Sequence, residues 1–386
     1  MDKSLFSDTA AGIAVRLEKP FNDWAFIPAP LPPKWNFDRD QLGDLLGDAR
    51  EELGTLNGIG QTLPDPELLV RPLQGRESIS SSSIEGTFVT PEQLLLYELD
   101  PSEPDSPDEK KADWMEVYNY NRALRQGCEM IDNQPITNHT IRSIHATLMT
   151  GVRGKDKSPG QYRNGQVQIG SNARYVPPPP HEIERLMDNF IEFTNSEDDS
   201  INPLVKAFIA HYQFEAIHPF TDGNGRIGRA LLSMMIYKWQ EHVQPWLYLS
   251  PFFEKYKDEY VRNMFRISTS GDWNTWIEFC LRGTVQQSKD AIARCHRFRE
   301  LRAEFPLRVQ SHSPRTHTLI ESLFRNPILS ITEAAETMNV TYHTAKGDID
   351  RLLDCGILTQ LGNSRPKRYY SDEIVAIAYR ETAPLL

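Results

Sequence analysis

The strongest constraint on this chain is a helix, a glycine turn and a second helix in direct succession. Residues 203–217 carry an apolar helical pattern (Val205, Phe208, Ile209, Tyr212, Phe214, Ile217), a Gly-rich break follows, and a helical pattern resumes at about Arg226. Residues 218–229 read His-Pro-Phe-Thr-Asp-Gly-Asn-Gly-Arg-Ile-Gly-Arg. A Gly-Asn-Gly turn between two helices can point its backbone N–H groups inward, and the next helix N-terminus adds a positive dipole end. Together they make a cradle suited to phosphate. Gly223 and Gly225 permit positive φ and close backbone approach. Arg226 and Arg229, at i and i+3, project near one another, and two guanidinium forks suit a triphosphate tail. Asp222 stands beside the cradle as a carboxylate for Mg²⁺, which binds phosphates through one or two carboxylates. His218 ends the preceding helix and can take a proton near neutral pH. A polyphosphate cradle, a metal ligand, a base and two arginines are the parts of phosphoryl or nucleotidyl transfer.

The rest of the 386 residues has the length of two or three domains at roughly 100–200 residues each. Residues 1–40 are rich in proline and aromatics, which predicts an extended segment lying across another surface. Helical spacing begins near Asp40, and residues 66–98 predict two further helices, the second opened by Thr90 as cap and Pro91. Pro, Ser and charge over residues 100–112 predict a linker. Residues 160–180 predict a β-hairpin, with Val167-Gln168-Ile169 facing Tyr175-Val176 and four prolines, 177–180, ending it. His145 and His211 are read as core or cap residues.

Four separated cysteines without a C-x-x-C spacing argue against a zinc site and fit a reducing compartment. There is no apolar run near the roughly 20 residues that cross a bilayer, and the first residues lack a signal-peptide pattern. The expectation is a cytoplasmic protein with no membrane partner. A net charge of −11 opposes general nucleic-acid affinity.

The 218–229 string resembles the signature of the Fic family, H-x-F-x-[DE]-G-N-G-R-x-x-R, at every fixed position. The resemblance implies that His218 is the base for a target hydroxyl and that Phe220 anchors the loop. It implies that Asp222 binds Mg²⁺ bridging the α- and β-phosphates of ATP. Gly223, Asn224 and Gly225 would cradle phosphates, and Arg226 and Arg229 would hold the β- and γ-phosphates. AMP would pass to a Ser, Thr or Tyr hydroxyl of a protein, the chain itself included, and pyrophosphate would leave.

Upstream, residues 78–88 read Ser-Ile-Ser-Ser-Ser-Ser-Ile-Glu-Gly-Thr-Phe. On a helix, Ser81 and Glu85 share a face, and Gly86 is a natural helix end. A glutamate aimed at a phosphate-binding arginine would pair with it bidentately and take the γ-phosphate's place. The stretch resembles the family's inhibitory motif, [ST]-x-x-x-E-[GN], matched by Ser81, Glu85 and Gly86. This implies that Glu85 pairs with Arg229 and blocks productive ATP binding. In some relatives that glutamate supports removal of AMP, which stays open as an alternative main reaction. The family also implies a flap before the signature that aligns the target segment by strand addition; here Gln166, Val167, Gln168 and Ile169 fill that place. Trp246, Tyr248 and Tyr256 are candidate walls for adenine.

Residues 330–358 predict a helix-turn-helix (Thr332–Met338, then Thr341–Leu353), and 357–370 a wing with Arg365, Lys367 and Arg368 near its tip. This looks like the winged-helix tail of long bacterial Fic proteins. From 314 to 386 there are eight basic and nine acidic residues, which favours a protein-interaction role over DNA binding. A DNA-binding regulator with a nucleotide-sensing core remains the alternative from another class, and a homodimer stays open. The expected architecture is mainly α with a small β-hairpin flap. Residues 1–112 would carry the inhibitor, 113–310 the Fic core and 311–386 the winged helix.

Overall fold

A computed structural model of the chain describes residues 1–386 except 19, 63–65, 152, 154, 171–173, 199, 241–243, 310–313, 363–366 and 381–386. The fold is mainly helical. An antiparallel hairpin, β1 (Gly12–Arg16) and β2 (Trp24–Pro28), pairs Ala14 with Phe26 and precedes α1 (Arg39–Gln61). Then come α2 (Glu67–Ile84), α3 (Pro91–Leu99), α4 (Lys110–Ile131), α5 (Asn138–Leu148) and α6 (Ile183–Asn195). The central pair is α7 (Pro203–Ile217) and α8 (Asn224–Trp239), followed by α9 (Ser250–Lys255), α10 (Lys257–Ser270) and the long α11 (Trp273–Val309). The chain continues through α12 (Pro314–Arg325), β3 (Ile328–Ser330), α13 (Ile331–Met338) and α14 (Tyr342–Asp354). It ends with β4 (Thr359–Gln360), β5 (Arg368–Tyr370) and α15 (Asp372–Tyr379). These last strands form an antiparallel sheet in the order β3-β5-β4.

The caps follow from the sequence. Thr90 and Gln93 form a reciprocal capping box with Pro91 in the first turn of α3. Asn202 accepts the Leu204 N–H at the start of α7, again with proline in the first turn. Nearly every residue of α7 is buried. A helix apolar on all sides must be enclosed, and α6, α8, α11 and β2 all pack against it. The turn between them, where α7 stops and α8 starts, is thereby held on an enclosed helix while Thr221 and Asp222 still reach solvent.

Two expectations change. The proline-rich N-terminus is a paired hairpin, seated through Phe26, whose ring lies 5.9 Å from that of Tyr175. The 160–180 hairpin is reduced, among the described residues, to one bridge, Ile169 with Tyr175; residues 171–173 lie outside them. The ladder cannot lengthen because Pro177, opposite Val167, has no N–H, and the Val176 carbonyl already accepts the Phe26 N–H at 2.8 Å. Among the described residues, no helix is long and apolar enough to cross a membrane.

Candidate functional site

His218 closes α7 in the left-handed region (φ 51°, ψ 60°), its N–H bonded to the Phe214 carbonyl at 2.9 Å. This turns the chain sharply, and Arg163 fixes the result. The Arg163 Nε donates to the His218 carbonyl at 2.9 Å, and its Nη2 donates to the Pro178 carbonyl at 2.6 Å. Burial, with the Arg163 charge adding to it, pushes the His218 imidazole down to about 4. The ring is neutral at pH 7, and its buried Nδ1 has no hydrogen-bond partner among the described residues. This is the protonation state a general base requires.

The turn after His218 is stapled from within. The Asn224 side chain accepts the Phe220 N–H at 2.8 Å and donates to the Phe220 carbonyl at 2.9 Å. Asn224 was expected among the phosphate contacts. Its amide is engaged on both its oxygen and its nitrogen by Phe220, so the side chain shapes the turn. Phe220 is fully buried and stacks on His145, with ring centroids 3.7 Å apart. The His145 Nδ1 accepts the Gly160 N–H at 2.8 Å, which places the ring proton on Nε2, donating to the Asp222 carbonyl at 3.0 Å. Burial lowers His145 to about 4 and keeps this tautomer neutral. His145 is thus a core residue that also ties α5 to the turn, a link no spacing in the sequence signals.

Gly223 has φ 77°, and a Cβ there would lie 3.0 Å from the Met149 sulfur. Gly225 faces the end of α2, where a Cβ would come within 2.2 Å of Glu85 Oε1. The Asp222 Oδ1 accepts the Gly223 N–H at 2.6 Å and lies 3.6 Å from Arg226 Nη2. Its side chain is 47% exposed.

Arg229 is buried, and Glu85 holds it, Oε1 to Nη2 at 2.6 Å. The pair is single-pronged rather than the expected fork. Ser81 takes two further donors of the guanidinium, its Oγ accepting from Nε at 2.9 Å and its carbonyl from Nη2 at 2.8 Å. Burial opposes the Glu85 charge, but Arg229 outweighs it and holds the carboxyl below its ordinary value. Gly86 follows with φ 96°. The end of α2 is further held by Lys257, which donates to the Ile84 carbonyl at 2.5 Å.

Glu85, His218, Gly225 and Arg229 line one cavity of about 260 Å³ with Ile169 and Tyr260. Of the flap candidates, Ile169 reaches this cavity. Gln166 turns away and donates to the Pro177 carbonyl at 2.8 Å. The expected adenine walls lie elsewhere. Trp246 is buried, with Nε1 donating to Asn57 at 3.2 Å, Tyr248 is buried, and Tyr256 packs on Phe252 at 4.8 Å. In their place α10 presents Tyr260, Met264 and Phe265 to the cavity. Sequence reading also missed Glu215, one turn before His218. Burial pushes its carboxyl up to about 7, with Arg229 opposing and Glu85 adding to the rise, and its Oε1 has no hydrogen-bond partner among the described residues.

A model of the Fic/DOC family matches residues 135–236, and one of the Fic/DOC family N-terminal region matches residues 44–129. Protein adenylyltransferase Fic of Drosophila willistoni is 40% identical over 123 residues, 31% of this chain and 24% of that protein. Protein adenylyltransferase Fic of Aedes aegypti is 27% identical over 212 residues, 54% of this chain and 39% of that protein. The chain therefore spans well under half the length of these relatives. A Fic family protein from Desulfovibrio desulfuricans shares the fold with a TM-score of 0.58 at 21% identity, covering 87% of this chain and 97% of that one. Fic-1 from C. elegans does so with a TM-score of 0.53 at 20% identity, over 65% and 73%. Residues 44–129 and 135–236 of the chain are thus the regions that resemble the Fic/DOC family.

Proposed function

We propose that the chain is a protein adenylyltransferase that moves AMP from ATP to a Ser, Thr or Tyr hydroxyl of a protein and is held down by Glu85. The observation that carries this is the single cavity shared by a neutral His218, the glycine cradle, and an Arg229 already occupied by a carboxylate of the same chain. The relatives' common name, protein adenylyltransferase, supports it.

In this reading the polyphosphate takes the cradle at the start of α8, with Arg229 and Arg226 neutralising its charge. His218 takes the proton of the target hydroxyl as that oxygen attacks the α-phosphorus. The new bond is phosphorus to the target oxygen, the broken one joins the α-phosphorus to pyrophosphate, and pyrophosphate leaves. Mg²⁺ fits Asp222, because a half-exposed carboxylate whose Oδ2 has no contact among the described residues matches a metal held by one or two carboxylates plus phosphates. When bound, it supplies neutralisation of phosphate charge. Glu85 sits where a phosphate oxygen would meet Arg229, so ATP and Glu85 compete for one guanidinium.

The C-terminal elements are read as a protein-interaction or target-presenting unit. Arg368 is held by Glu333 at 2.7 Å, Lys346 by Asp350 at 2.6 Å, and Arg351 by Asp348 at 2.6 Å. Cations already paired with the unit's own acids leave little charge for a phosphate backbone. Arg365, also expected in the wing cluster, lies outside the described residues. Four free cysteines, three of them buried, are consistent with a reducing, cytoplasmic setting.

The test is incorporation of α-labelled ATP with Mg²⁺ into the protein and into a cell lysate. Strong label from Glu85→Gly, weak label from wild type and none from His218→Ala is the expected result. Equal label from wild type and Glu85→Gly would sink the inhibition. No label from any of the three would sink the transferase.

A further inference from the structure

The second arginine of the motif is held differently from the first. Arg226 meets Glu116 of α4, Nη1 to Oε2 at 3.2 Å, with 8% and 18% of the two side chains exposed. Glu116 is fixed from two further directions. Its Oε2 also accepts the Thr87 hydroxyl at 3.0 Å, and its Oε1 accepts from Arg153 Nη1 at 3.0 Å. Arg153 in turn pairs with Asp113 at 2.5 Å. Arg226 thus lies between Glu116 and Asp222, and its buried Nε–H has no acceptor among the described residues. A buried guanidinium with two of its nitrogens placed by carboxylates and a third donor unused is prepared for an incoming oxygen.

Thr87 stands two residues beyond Glu85, just past the Gly86 turn. The three-residue segment Glu85–Thr87 therefore addresses both arginines of α8. Glu85 binds Arg229 directly at 2.6 Å, and Thr87 shares with Arg226 a single oxygen of Glu116.

We infer that Glu116 is a positioning residue that aims Arg226 at the phosphates, and that the Thr87 hydroxyl couples this arginine to the inhibitory turn. When the turn withdraws, Glu85 uncovers Arg229, and in the same movement Thr87 leaves Glu116 Oε2 to Arg226 alone. Release of inhibition and sharpening of the second phosphate contact are then one event. The inference rests on reading the cavity as a nucleotide site.

The test measures affinity for a non-hydrolysable ATP analogue with Mg²⁺ by calorimetry, together with KM and kcat for labelled ATP. Glu116→Gln in the Glu85→Gly background is expected to weaken nucleotide binding roughly tenfold, raising KM more than it lowers kcat, because a charged hydrogen bond is lost. Thr87→Val is expected to tighten binding about threefold when Glu85 is present and to change it less than about twofold in Glu85→Gly, because the half-buried hydroxyl's hydrogen bond to Glu116, which retains the turn, is removed. Thr87→Ser should restore the wild-type value. Unaltered binding by Glu116→Gln would overturn the positioning role. An equal effect of Thr87→Val in both backgrounds, or none in either, would overturn the coupling. Where Glu116→Gln lowers the melting temperature too far to be assayed, the Thr87→Val and Thr87→Ser pair decides alone. Binding by Glu85→Gly with no response to these variants removes this inference only. No binding by Glu85→Gly would remove the nucleotide reading and this inference with it.

Discussion

The turn from His218 to Asn224 and the end of α2 from Ser81 to Thr87 meet across Arg229, and they are built in opposite ways. The turn is closed largely by its own residues. Asn224 staples Phe220, Asp222 accepts the next N–H, and the helix ends supply the direction change. The end of α2 closes locally through backbone alone, with the Glu85 and Thr87 N–H groups donating to the Ser82 carbonyl and the Gly86 N–H to the Ser83 carbonyl, each at 3.0 Å. Its last carbonyl is taken by Lys257, its glutamate by Arg229 and its threonine by Glu116, each distant in sequence. A self-closed turn holds its shape whether or not a regulator is present. A segment whose glutamate and threonine side chains are held by distant partners can be released by removing those partners, and low local stability is the property a switch needs.

That contrast can be broken by substitutions on its two sides. Asn224→Ala leaves the buried Phe220 N–H and carbonyl without partners, and should cost about 2–4 kcal/mol. It should also abolish AMP incorporation even in Glu85→Gly, as read by chemical denaturation and labelled-ATP assay. Survival of activity would show that the turn is not self-closed. Glu85→Gln keeps the shape but removes the charge facing Arg229. Label incorporation should rise by roughly tenfold, less than in Glu85→Gly, with stability altered by less than about 1.5 kcal/mol. A stability loss as large as that of Asn224→Ala would mean that the end of α2 is structural rather than removable.

Glu215 sharpens the comparison through pH. Its folded value, about 7, lies above the ordinary 4.5. The unfolded chain therefore binds fewer protons between pH 4.5 and 7, and stability from this group falls as pH rises through that window. Glu215→Gln should lose this dependence and gain about 1–3 kcal/mol relative to wild type between pH 5 and pH 8. Parallel stability curves would count against a buried carboxyl. The smallest expected effect is on the acid limb of kcat/KM in Glu85→Gly. His218 is the base only when neutral, and with its value near 4 the loss of rate on acidification should come well below pH 6.5. A limb at 6.5 would place the working imidazole in water.

The turn was legible because its instructions are local. Glycines that need positive φ, a cap and two arginines one turn apart act within twelve residues. The Glu85–Arg229 contact was legible only as a motif, and its geometry was not. Nothing in the sequence says that Ser81 would use two donors of the guanidinium and leave Glu85 one prong. The flap was over-read for the same reason. Val167 to Ile169 has strand-like residues, but its ladder ends where Pro177 lacks a donor and β2 has claimed the Val176 carbonyl. Aromatic candidates for the cavity were misplaced because Trp246 and Tyr260 look alike in spacing. Only packing decides which one fills the core beside α1 and which one faces the cavity.

By itself, then, the sequence determined the helical class, the caps, the glycine turn and the charge types offered to a polyphosphate, because backbone propensity and short-range spacing act within a few residues. The tertiary structure alone decided that the His218 imidazole is desolvated and neutral, that Glu215 is held up near 7, that Glu116 reaches Arg226 and that Thr87 reaches Glu116. Burial and ion pairing depend on which distant elements surround a group, and that information is spread over the whole chain.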